Sequence, residues 1–358
     1  VIGYSAEIKG DILFNTTPSG MYPNMDGSPL DTVDCGISNV QEIAHANELG
    51  LDVIVTDHHN PPATLPDAAV FLDPKLEDSG YPFKDISGAA VAFKLAEALR
   101  FRKSELFGQD IALLDVQKLS DGQYKLDILK TRNLVKKQSY SKIFEPGFGS
   151  VADTCLPSVL RGQQILCWNK KIVSSYLKDI FGSGVEFEML DMQQEIAKAI
   201  PHVMGKSLAQ IKEMSKFAKY SETSINEIDG FYNIFVSFAE LSDSRIFPEH
   251  TADAAQDLQL VGIAALADIM PMQNENRIFV KNALSAINSG KTRKGIAELI
   301  ARLDLAGKEI NSTDLSWKLI PALNASGRMG QSNVSLELLT ADDSAERNRL
   351  AAKIMELN

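Results

Sequence analysis

The first clear pattern along the chain is a strand, a helix and a second strand. Residues 51–56 (LDVIVT) form a mostly apolar run that predicts a buried parallel strand. Residues 39–50 (NVQEIAHANELG) precede it with the periodicity of an amphipathic helix and end in a glycine, a common helix C-cap. A short strand signal at residues 31–34 (DTVD) comes before that helix. This order predicts a βαβ unit, whose right-handed crossover places both strands parallel in one sheet.

Three polar side chains, Asp57, His58 and His59, follow the second strand directly. Ligands of open α/β sheets bind beyond the carboxyl ends of the strands, and a proline pair two residues later stops any helix that would carry the histidines away. If the two strands are neighbours, Asp34 lies at the same edge. Carboxylate and imidazole ligands without a thiolate favour Mn²⁺ or Mg²⁺ over a structural zinc. The alternative is that the adjacent histidines form only a solvated turn.

An almost wholly apolar helix is predicted over residues 258–271 (LQLVGIAALADIMP), and Asp268 interrupts it near its end. An ionised carboxylate on such a helix is costly unless it is paired or bound to a metal. We therefore rank metal ligation by Asp268 above the alternative, an exposed aspartate beside Asp253 and Asp257.

Two further segments have the residues that hold a phosphate. Residues 321–330 (PALNASGRMG) combine an amide, a hydroxyl, two glycines and Arg328, whose guanidinium binds phosphate oxygens bidentately while glycines let backbone N–H groups approach. A surface loop position is the alternative for Arg328. Ser87 and Gly88 precede a helix predicted over residues 89–100, where they provide an N-cap and a candidate anion site.

Together these segments resemble the DHH phosphoesterase family and, within it, the RecJ-type single-strand-specific DNA exonucleases. The resembling pieces are residues 32–38 (TVDCGIS), 55–59 (VTDHH), 87–94 (SGAAVAFK), 267–271 (ADIMP), 275–277 (ENR) and 324–328 (NASGR). They occur in the family's order and cover roughly residues 28–100 and 256–358. The resemblance implies an α/β fold, a parallel-sheet DHH core in two parts with a large inserted α/β domain.

The resemblance also implies a metal-dependent 5′–3′ exonuclease that hydrolyses phosphodiester bonds of single-stranded DNA, in DNA repair and recombination, with two Mn²⁺ or Mg²⁺ ions. The implied metal ligands are Asp34, His58, His59 and Asp268. His59 would ligate metal or contact the scissile phosphate, and Asp57 would brace the histidine pair in this catalytic group. The residues implied to hold DNA phosphates are Ser87, Gly88, Asn324 and Arg328.

The family's first motif, Asp-x-Asp-Gly, supplies two more metal ligands and has no counterpart here. The nearest string, residues 24–27 (NMDG), is expected to be a polar turn. Since the chain starts at Val1 and stops at Asn358, we expect an internal fragment, or a damaged gene product, of a longer exonuclease, without the relatives' C-terminal domains and with an irregular or truncated segment 1–27. One metal site would then be incomplete, and cleavage slow or absent.

Residues 101–255 do not match the DHH core and are too long for a connecting loop, so they predict an inserted domain. Strands are predicted at residues 110–115, 124–129 and 164–168, and helices up to Phe181 and at residues 207–218. This order resembles a DnaQ-type 3′–5′ exonuclease domain of the ribonuclease H-like fold.

The catalytic acids of that domain type are mostly absent. Gln117 stands where an Asp-x-Glu motif has its glutamate, and Ser224 replaces a histidine five residues before Asp229. Asp115 and Asp229 remain, and two acids out of four would not hold a catalytic metal pair. We therefore predict a non-catalytic insert that is structural or guides DNA, with Trp168 in its core.

Composition sets the remaining bounds. With 358 residues and 44% hydrophobic content, the chain can bury one large or two moderate cores. No signal peptide or membrane-spanning run is evident, and Cys35, Cys155 and Cys167 are widely spaced, so a soluble cytoplasmic protein with reduced thiols is expected. The net charge of −11 argues against bulk electrostatic affinity for DNA, although bound metals invert the potential of an acidic site.

Two other functions compete with the exonuclease. One is a phosphodiesterase acting on short oligonucleotides or cyclic dinucleotides, which residues 324–328 disfavour. The other is a catalytically dead protein that binds nucleic acid or serves as a scaffold, which the absent Asp-x-Asp-Gly motif and the degenerate insert favour. The predicted partner of the exonuclease is single-stranded DNA, and no membrane interaction is expected for any of the three functions.

Overall fold

The computed structural model describes residues 12–15, 36–215 and 224–358. Asp34, Cys35 and the predicted turn at residues 24–27 lie outside these ranges. The chain divides into two compact units, unit 1 with residues 1–99 and 251–358, and unit 2 with residues 100–250. Within the described ranges, no helix combines the length and apolar character that crossing a membrane requires.

The N-terminal part of unit 1 contains a parallel sheet with the strand order β1 (Ile12–Asn15), β2 (Asp52–Thr56) and β3 (Val70–Leu72). Helix α1 (Val40–Glu48) precedes β2. Gly50, just after the end of this helix, has a φ of +76°, a left-handed conformation that favours glycine. The predicted helix and second strand are thus confirmed. The predicted strand at residues 31–34 lies outside the described residues.

Helix α2 (Gly88–Phe101) follows the sheet. Its buried face contributes Ala90 and Val91 to a small core that also contains Ile86 and, from the C-terminal part of unit 1, Val261 and Phe279. The two parts of unit 1 therefore share one core.

The described strands of unit 2 form a five-stranded mixed sheet with the order β6-β5-β4-β7-β8. The strands are β4 (Asp110–Lys118), β5 (Tyr124–Arg132), β6 (Val135–Phe144), β7 (Gln164–Cys167) and β8 (Leu190–Asp191). Strand β5 is antiparallel to both β4 and β6, whereas β7 is parallel to β4 and β8 is parallel to β7. The described α-helices of unit 2 are α3 (Leu156–Leu160), α4 (Lys170–Phe181), α5 (Gln193–Ala199), α6 (Leu208–Met214) and α7 (Glu227–Ile246).

Apolar cores pack against both faces of the central strands β4, β5 and β7. Trp168 lies in one of these cores, where its Nε1 donates to the carbonyl oxygen of Lys206 at 2.8 Å and its ring packs edge-on against Phe231. The core position predicted for Trp168 is confirmed. Strand β6 was not predicted, because nearly all of its residues are exposed and it has no apolar alternation.

The C-terminal part of unit 1 is helical. It comprises α8 (Pro248–Ala267), α9 (Asn274–Asn288), α10 (Lys294–Arg302), α11 (Ser312–Asp314), a π-helical turn (Leu315–Leu319), α12 (Ile320–Arg328), α13 (Ser332–Thr340) and α14 (Ser344–Leu357). A Cβ atom at Gly262 would lie 2.6 Å from the Cβ of Ala283, so α8 and α9 approach this closely only because residue 262 is glycine.

Candidate active site

The paired ends of β2 and β3 place two aspartates side by side. Thr56 and Leu72 are register partners, and the N–H of Asp57 donates to the carbonyl oxygen of Leu72 at 3.1 Å. Asp57 and Asp73, the next residues on the two strands, therefore both lie at the carboxyl edge. They are only 3% and 4% exposed. The sequence analysis did not predict the second of these carboxylates, Asp73.

Asp57 accepts four hydrogen bonds. Its Oδ2 accepts from the N–H of Ile37 at 2.8 Å, and its Oδ1 accepts from the N–H groups of His58 at 2.6 Å and His59 at 3.0 Å. The ring Nδ1 of His59 is the fourth donor, at 2.7 Å. Burial raises the pKa of Asp57, but these hydrogen bonds outweigh it, so the pKa lies below its ordinary value. The ionised carboxylate thereby fixes the backbone of both histidines.

The pairing with Asp57 also determines what the His59 ring offers. Because Nδ1 faces a carboxylate, we assign the proton to that nitrogen, which leaves the lone pair on Nε2. A carboxylate in this position fixes the orientation of a metal-binding imidazole. The rings of His58 and His59 are adjacent, with centroids 4.3 Å apart.

The His58 ring is buried, with 8% of the residue exposed. Its Nδ1 has no hydrogen-bond partner among the described residues. The first residue of α2 lies directly against the ring, since a Cβ atom at Gly88 would be 3.2 Å from Cδ2 of His58. Glycine at this position therefore leaves room for the imidazole, a role that the sequence analysis did not foresee.

Ser87 caps α2, as the sequence predicted. Its Oγ accepts from the N–H of Ala90 at 3.3 Å, and its side chain is fully buried. The phosphate-binding role assigned to Ser87 and Gly88 stays a prediction.

The structure does not bring the other predicted ligands together with the histidines in one cluster. Among the described residues, no group of three or more His, Cys, Asp and Glu side chains is arranged to hold a metal ion. Asp34 lies outside the described residues. Asp268 is exposed just beyond the end of α8, where Ile269 has a left-handed φ of +53°. The reasoning that burial makes its charge costly was wrong, because the helix ends before it.

Asn324 and Arg328 lie one helical turn apart and exposed on α12. We expected the glycines of this segment to free backbone N–H groups for a phosphate. That expectation was wrong for Gly327, which lies inside the helix, while Gly330 has a left-handed φ of +68° beyond its end. The phosphate role of the two side chains stays a prediction.

A polar cluster that the sequence analysis missed joins the two parts of unit 1. The hydroxyl of Tyr81 donates to both carboxylate oxygens of Glu275, at 2.8 and 2.9 Å, and Nζ of Lys94 lies 3.0 Å from Oε2 of Glu275. Next to it, the buried side chain of Asn276 donates to the carbonyl oxygen of Asp85 at 2.7 Å. Lys94 and residues 275–276 belong to quoted motifs, but no spacing signal relates positions so far apart. Their observed contacts are structural.

The degenerate acids of unit 2 are paired internally. The amide nitrogen of Gln117 donates to Asp115 at 3.0 Å and to Glu227 at 3.3 Å, while Lys212 pairs with Glu227 at 2.8 Å. Burial, with Asp127 and Glu227 nearby, raises the pKa of Asp115 to about 6. An amide and an ammonium thus hold these carboxylates together.

Asp229 makes other contacts, and Glu227 is the acid that accepts from Gln117. Asp229 completes the capping box of α7 with Asn226 and pairs with Lys136 at 2.6 Å.

Comparisons with known proteins agree with the resemblance seen in the sequence. The model of the DHH family, N-terminal domain, matches residues 9–116. The single-stranded-DNA-specific exonuclease RecJ of Salmonella typhimurium is 24% identical over 327 residues, covering 91% of this chain and 33% of the relative. RecJ of Bacillus subtilis is 56% identical over 72 residues, covering 20% of this chain and 9% of the relative.

A crystal structure of Thermus thermophilus RecJ in complex with Mn²⁺ matches 91% of this chain and 27% of its own, at 17% identity and a TM-score of 0.41. The chain thus spans at most about a third of the length of these relatives. The resemblance to RecJ-type DHH proteins is confirmed.

Proposed function

We propose that this RecJ-type chain, with its DHH-family domain, is part of a divalent-metal-dependent exonuclease that hydrolyses single-stranded DNA from the 5′ end, in DNA repair and recombination. The observation that carries the proposal is the Asp57, His58 and His59 cluster at the carboxyl edge of the parallel sheet, inside the segment that matches the DHH domain. The names of the RecJ relatives supply the substrate class, single-stranded DNA, and the polarity is proposed because the resemblance implies it.

The described residues fit a divalent cation at His58 and His59. The buried Nδ1 of His58 has no hydrogen-bond partner among the described residues, and the lone pair of His59 is on Nε2 because Nδ1 donates to Asp57. Neutral imidazole nitrogens are good ligands for manganese and related ions. We propose Asp34 and Asp268 as further ligands, as the resemblance implies. When bound, divalent cations make water a better nucleophile and neutralise charge on a phosphate.

The chain's own residues then have distinct tasks. Asp57 stays ionised because four donors hold it, and it keeps the His59 ring fixed. Gly88 keeps the start of α2 against His58 without pushing the ring aside. We propose that Ser87, Gly88, Asn324 and Arg328 hold DNA phosphates, with the guanidinium as the cationic contact.

We propose a four-part organisation with residues 1–27 as an N-terminal segment, 28–100 and 256–358 as the DHH core and 101–255 as an inserted domain. The insert is proposed to be ribonuclease H-like, supported by its three antiparallel strands followed by two parallel ones. It is proposed to be non-catalytic, since Gln117 and Lys212 occupy the hydrogen-bonding positions beside its acids.

The test is degradation of single-stranded DNA by the 358-residue chain in Mn²⁺, compared with the His58→Ala variant. The matched control is His45→Ala, which removes an exposed histidine of α1 in the same unit. We expect slow cleavage by the chain and the control, and a rate at least a hundredfold lower for His58→Ala. Equal rates for His58→Ala and the control would refute the assignment.

End labels test the polarity. With a 5′ label, a 5′–3′ exonuclease releases labelled short products at once, whereas a 3′ label gives a ladder of progressively shorter strands. The reverse pattern would refute the polarity. Hydrolysis of cyclic dinucleotides without loss of single-stranded DNA would favour the alternative phosphodiesterase, and Mn²⁺-independent DNA binding without cleavage would favour the catalytically dead alternative.

A further inference from the structure

Two buried polar atoms near the carboxyl edge of unit 1 lack hydrogen-bond partners among the described residues. They are Nδ1 of His58 and Oδ2 of Asp73. Both residues are more than nine-tenths buried. Buried polar side-chain atoms in native proteins nearly always have a partner, because removing one from water without a compensating hydrogen bond destabilises the fold. Two such atoms at one edge call for a shared explanation.

Asp73 uses only one of its oxygens locally. Its Oδ1 accepts from the N–H of Lys75 at 2.8 Å, the hydrogen bond of a tight turn that begins at Asp73 and Pro74. This bond explains why an acidic or amide side chain suits the position. It leaves Oδ2 unexplained, because the turn needs a single acceptor.

The position of Asp73 relative to the histidines follows from the strand register. Asp57 and Asp73 are the residues after the paired Thr56 and Leu72, and His58 is the next residue along from Asp57. Neighbouring strands lie about 5 Å apart, so the Asp73 carboxylate begins beside the histidine motif.

The electrostatics agree with this proximity. Burial is the largest effect and raises the pKa of Asp73, and the N–H of Lys75 lowers it. The negative charge of Asp57 raises this pKa, while Lys75 and His58 lower it. The net pKa lies above the ordinary value. The Asp73 carboxylate therefore lies close enough to Asp57 and His58 for their charges to affect it.

We propose that Asp73 is a further ligand of a divalent cation at this edge, with its Oδ2 and the Nδ1 of His58 bound to one ion. This inference rests on the proposed function for the presence of a cation at His58, and it adds a ligand that the DHH resemblance did not supply. A carboxylate oxygen and an imidazole nitrogen are suitable ligands for Mn²⁺. One ion would satisfy both buried atoms and offset the repulsion between Asp73 and Asp57.

Asp73→Asn separates ligation from the turn. The asparagine keeps an oxygen to accept from Lys75, so the turn is retained, while the charge and the second oxygen are lost. Asp78→Asn is the matched control, because it makes the same substitution at an exposed position of the same unit.

The primary measurement is Mn²⁺ affinity of the 358-residue chain, from the decrease in the electron paramagnetic resonance signal of free Mn²⁺. We expect Asp73→Asn to bind at least tenfold more weakly than the unmodified chain, and Asp78→Asn to bind equally. Equal affinity in Asp73→Asn would overturn the inference and leave Asp73 as a turn residue. The absence of any Mn²⁺ binding by the unmodified chain would overturn both the inference and the proposed metal dependence.

Unfolding in urea with EDTA provides a second readout that a turn residue would affect differently. For a ligand, Asp73→Asn should be at least as stable as the unmodified chain without metal, since it removes repulsion from Asp57, and should lose the stabilisation that Mn²⁺ gives. A loss of stability in EDTA with unchanged Mn²⁺ stabilisation would overturn the inference. If Asp73→Asn weakens Mn²⁺ binding but the unmodified chain leaves single-stranded DNA intact, the proposed nuclease fails while the ligand assignment stands.

Discussion

Replacing Asp57 by asparagine tests how the histidine motif is held. The side chain of asparagine has only one acceptor oxygen. If this oxygen accepts from the three donors of His58 and His59, the NH₂ group faces the N–H of Ile37. Two donors then face each other in a buried place. Rotating the amide instead would lose the other three hydrogen bonds.

The expected magnitude follows from these contacts. A buried N–H without an acceptor costs about 1–3 kcal/mol, and the remaining bonds weaken because they no longer go to a charged group. We expect the free energy of unfolding of unit 1 to fall by about 2–4 kcal/mol at pH 7. This is a large share of the roughly 5–15 kcal/mol that stabilises a typical domain.

The difference should depend on pH. Because the pKa of Asp57 is lowered in the folded protein, its charge stabilises the fold above the unfolded pKa of about 3.9, and this contribution is lost as the pH falls through the folded pKa. The difference in the free energy of unfolding between the unmodified chain and Asp57→Asn should therefore have its full size at neutral pH. It should become smaller only below about pH 4.

The assay is urea unfolding followed by circular dichroism, with hydrogen exchange of a peptide covering residues 36–60. We expect the amide of Ile37 to exchange about 5- to 150-fold faster in Asp57→Asn, which corresponds to about 1–3 kcal/mol. The exposed Asp78→Asn should change stability by less than about 0.5 kcal/mol. Unchanged exchange at Ile37 with unchanged unfolding at pH 7 would refute the hydrogen-bond argument.

Three further predictions concern contacts elsewhere in the chain. A double-mutant cycle of Lys94→Met and Glu275→Gln should give a coupling of about 0.5–1 kcal/mol in urea unfolding, since this ion pair is only partly buried, and a coupling near zero would contradict its role in joining the two parts of unit 1. The pKa of Asp115 is raised to about 6, so the protonated carboxyl stabilises the folded state at low pH. Raising the pH from about 4 to 7 should therefore lower the free energy of unfolding of the unmodified chain relative to Asp115→Asn by up to about 3 kcal/mol. Parallel pH profiles of the free energy of unfolding in the two proteins would contradict this. Gly88→Ala should weaken Mn²⁺ binding because the added methyl group displaces the His58 ring. Gly327→Ala has nothing within 4 Å of its added methyl group, so it should leave Mn²⁺ binding unchanged and stabilise α12 by about 0.5–1 kcal/mol. Equal Mn²⁺ affinity in the two variants would contradict the steric argument.

The sequence predicted the elements whose apolar pattern is strong. Helix α1, strand β2 and the position of His58 after that strand followed from periodicity and from the rule that ligands gather at the carboxyl ends of parallel strands. Strand β6 and the short strand β3 were missed, since one is exposed along its length and the other has three residues. Because β3 was not predicted, Asp73 at its end was not recognised as a site residue. The local sequence around Asp73 indicates only a turn before a proline.

Asp268 shows the opposite error. Its apolar sequence neighbours Ile269 and Met270 made a buried carboxylate look necessary, yet α8 ends at Ala267 and the side chain of Ile269 is 89% exposed. A local apolar run does not determine burial where a helix ends, because the residues beyond it no longer follow the helical face. The pairing of Lys94 with Glu275 could not be predicted for a related reason, since only the folded core of unit 1 relates the two positions.

The contrast between Asp57 and Asp73 explains why burial alone does not determine the state of a carboxylate. Both residues are almost fully buried at adjacent strand ends, and burial raises the pKa of each. Asp57 meets four donors, and its pKa falls below the ordinary value. Asp73 meets only one backbone donor, so burial and the charge of Asp57 outweigh that hydrogen bond and the charge of Lys75, and its pKa rises. The nearby Nδ1 of His58 also lacks a hydrogen-bond partner among the described residues. The divalent cation that we propose would bind the lone pair of this nitrogen and offset the negative charge of Asp73 with a single ion.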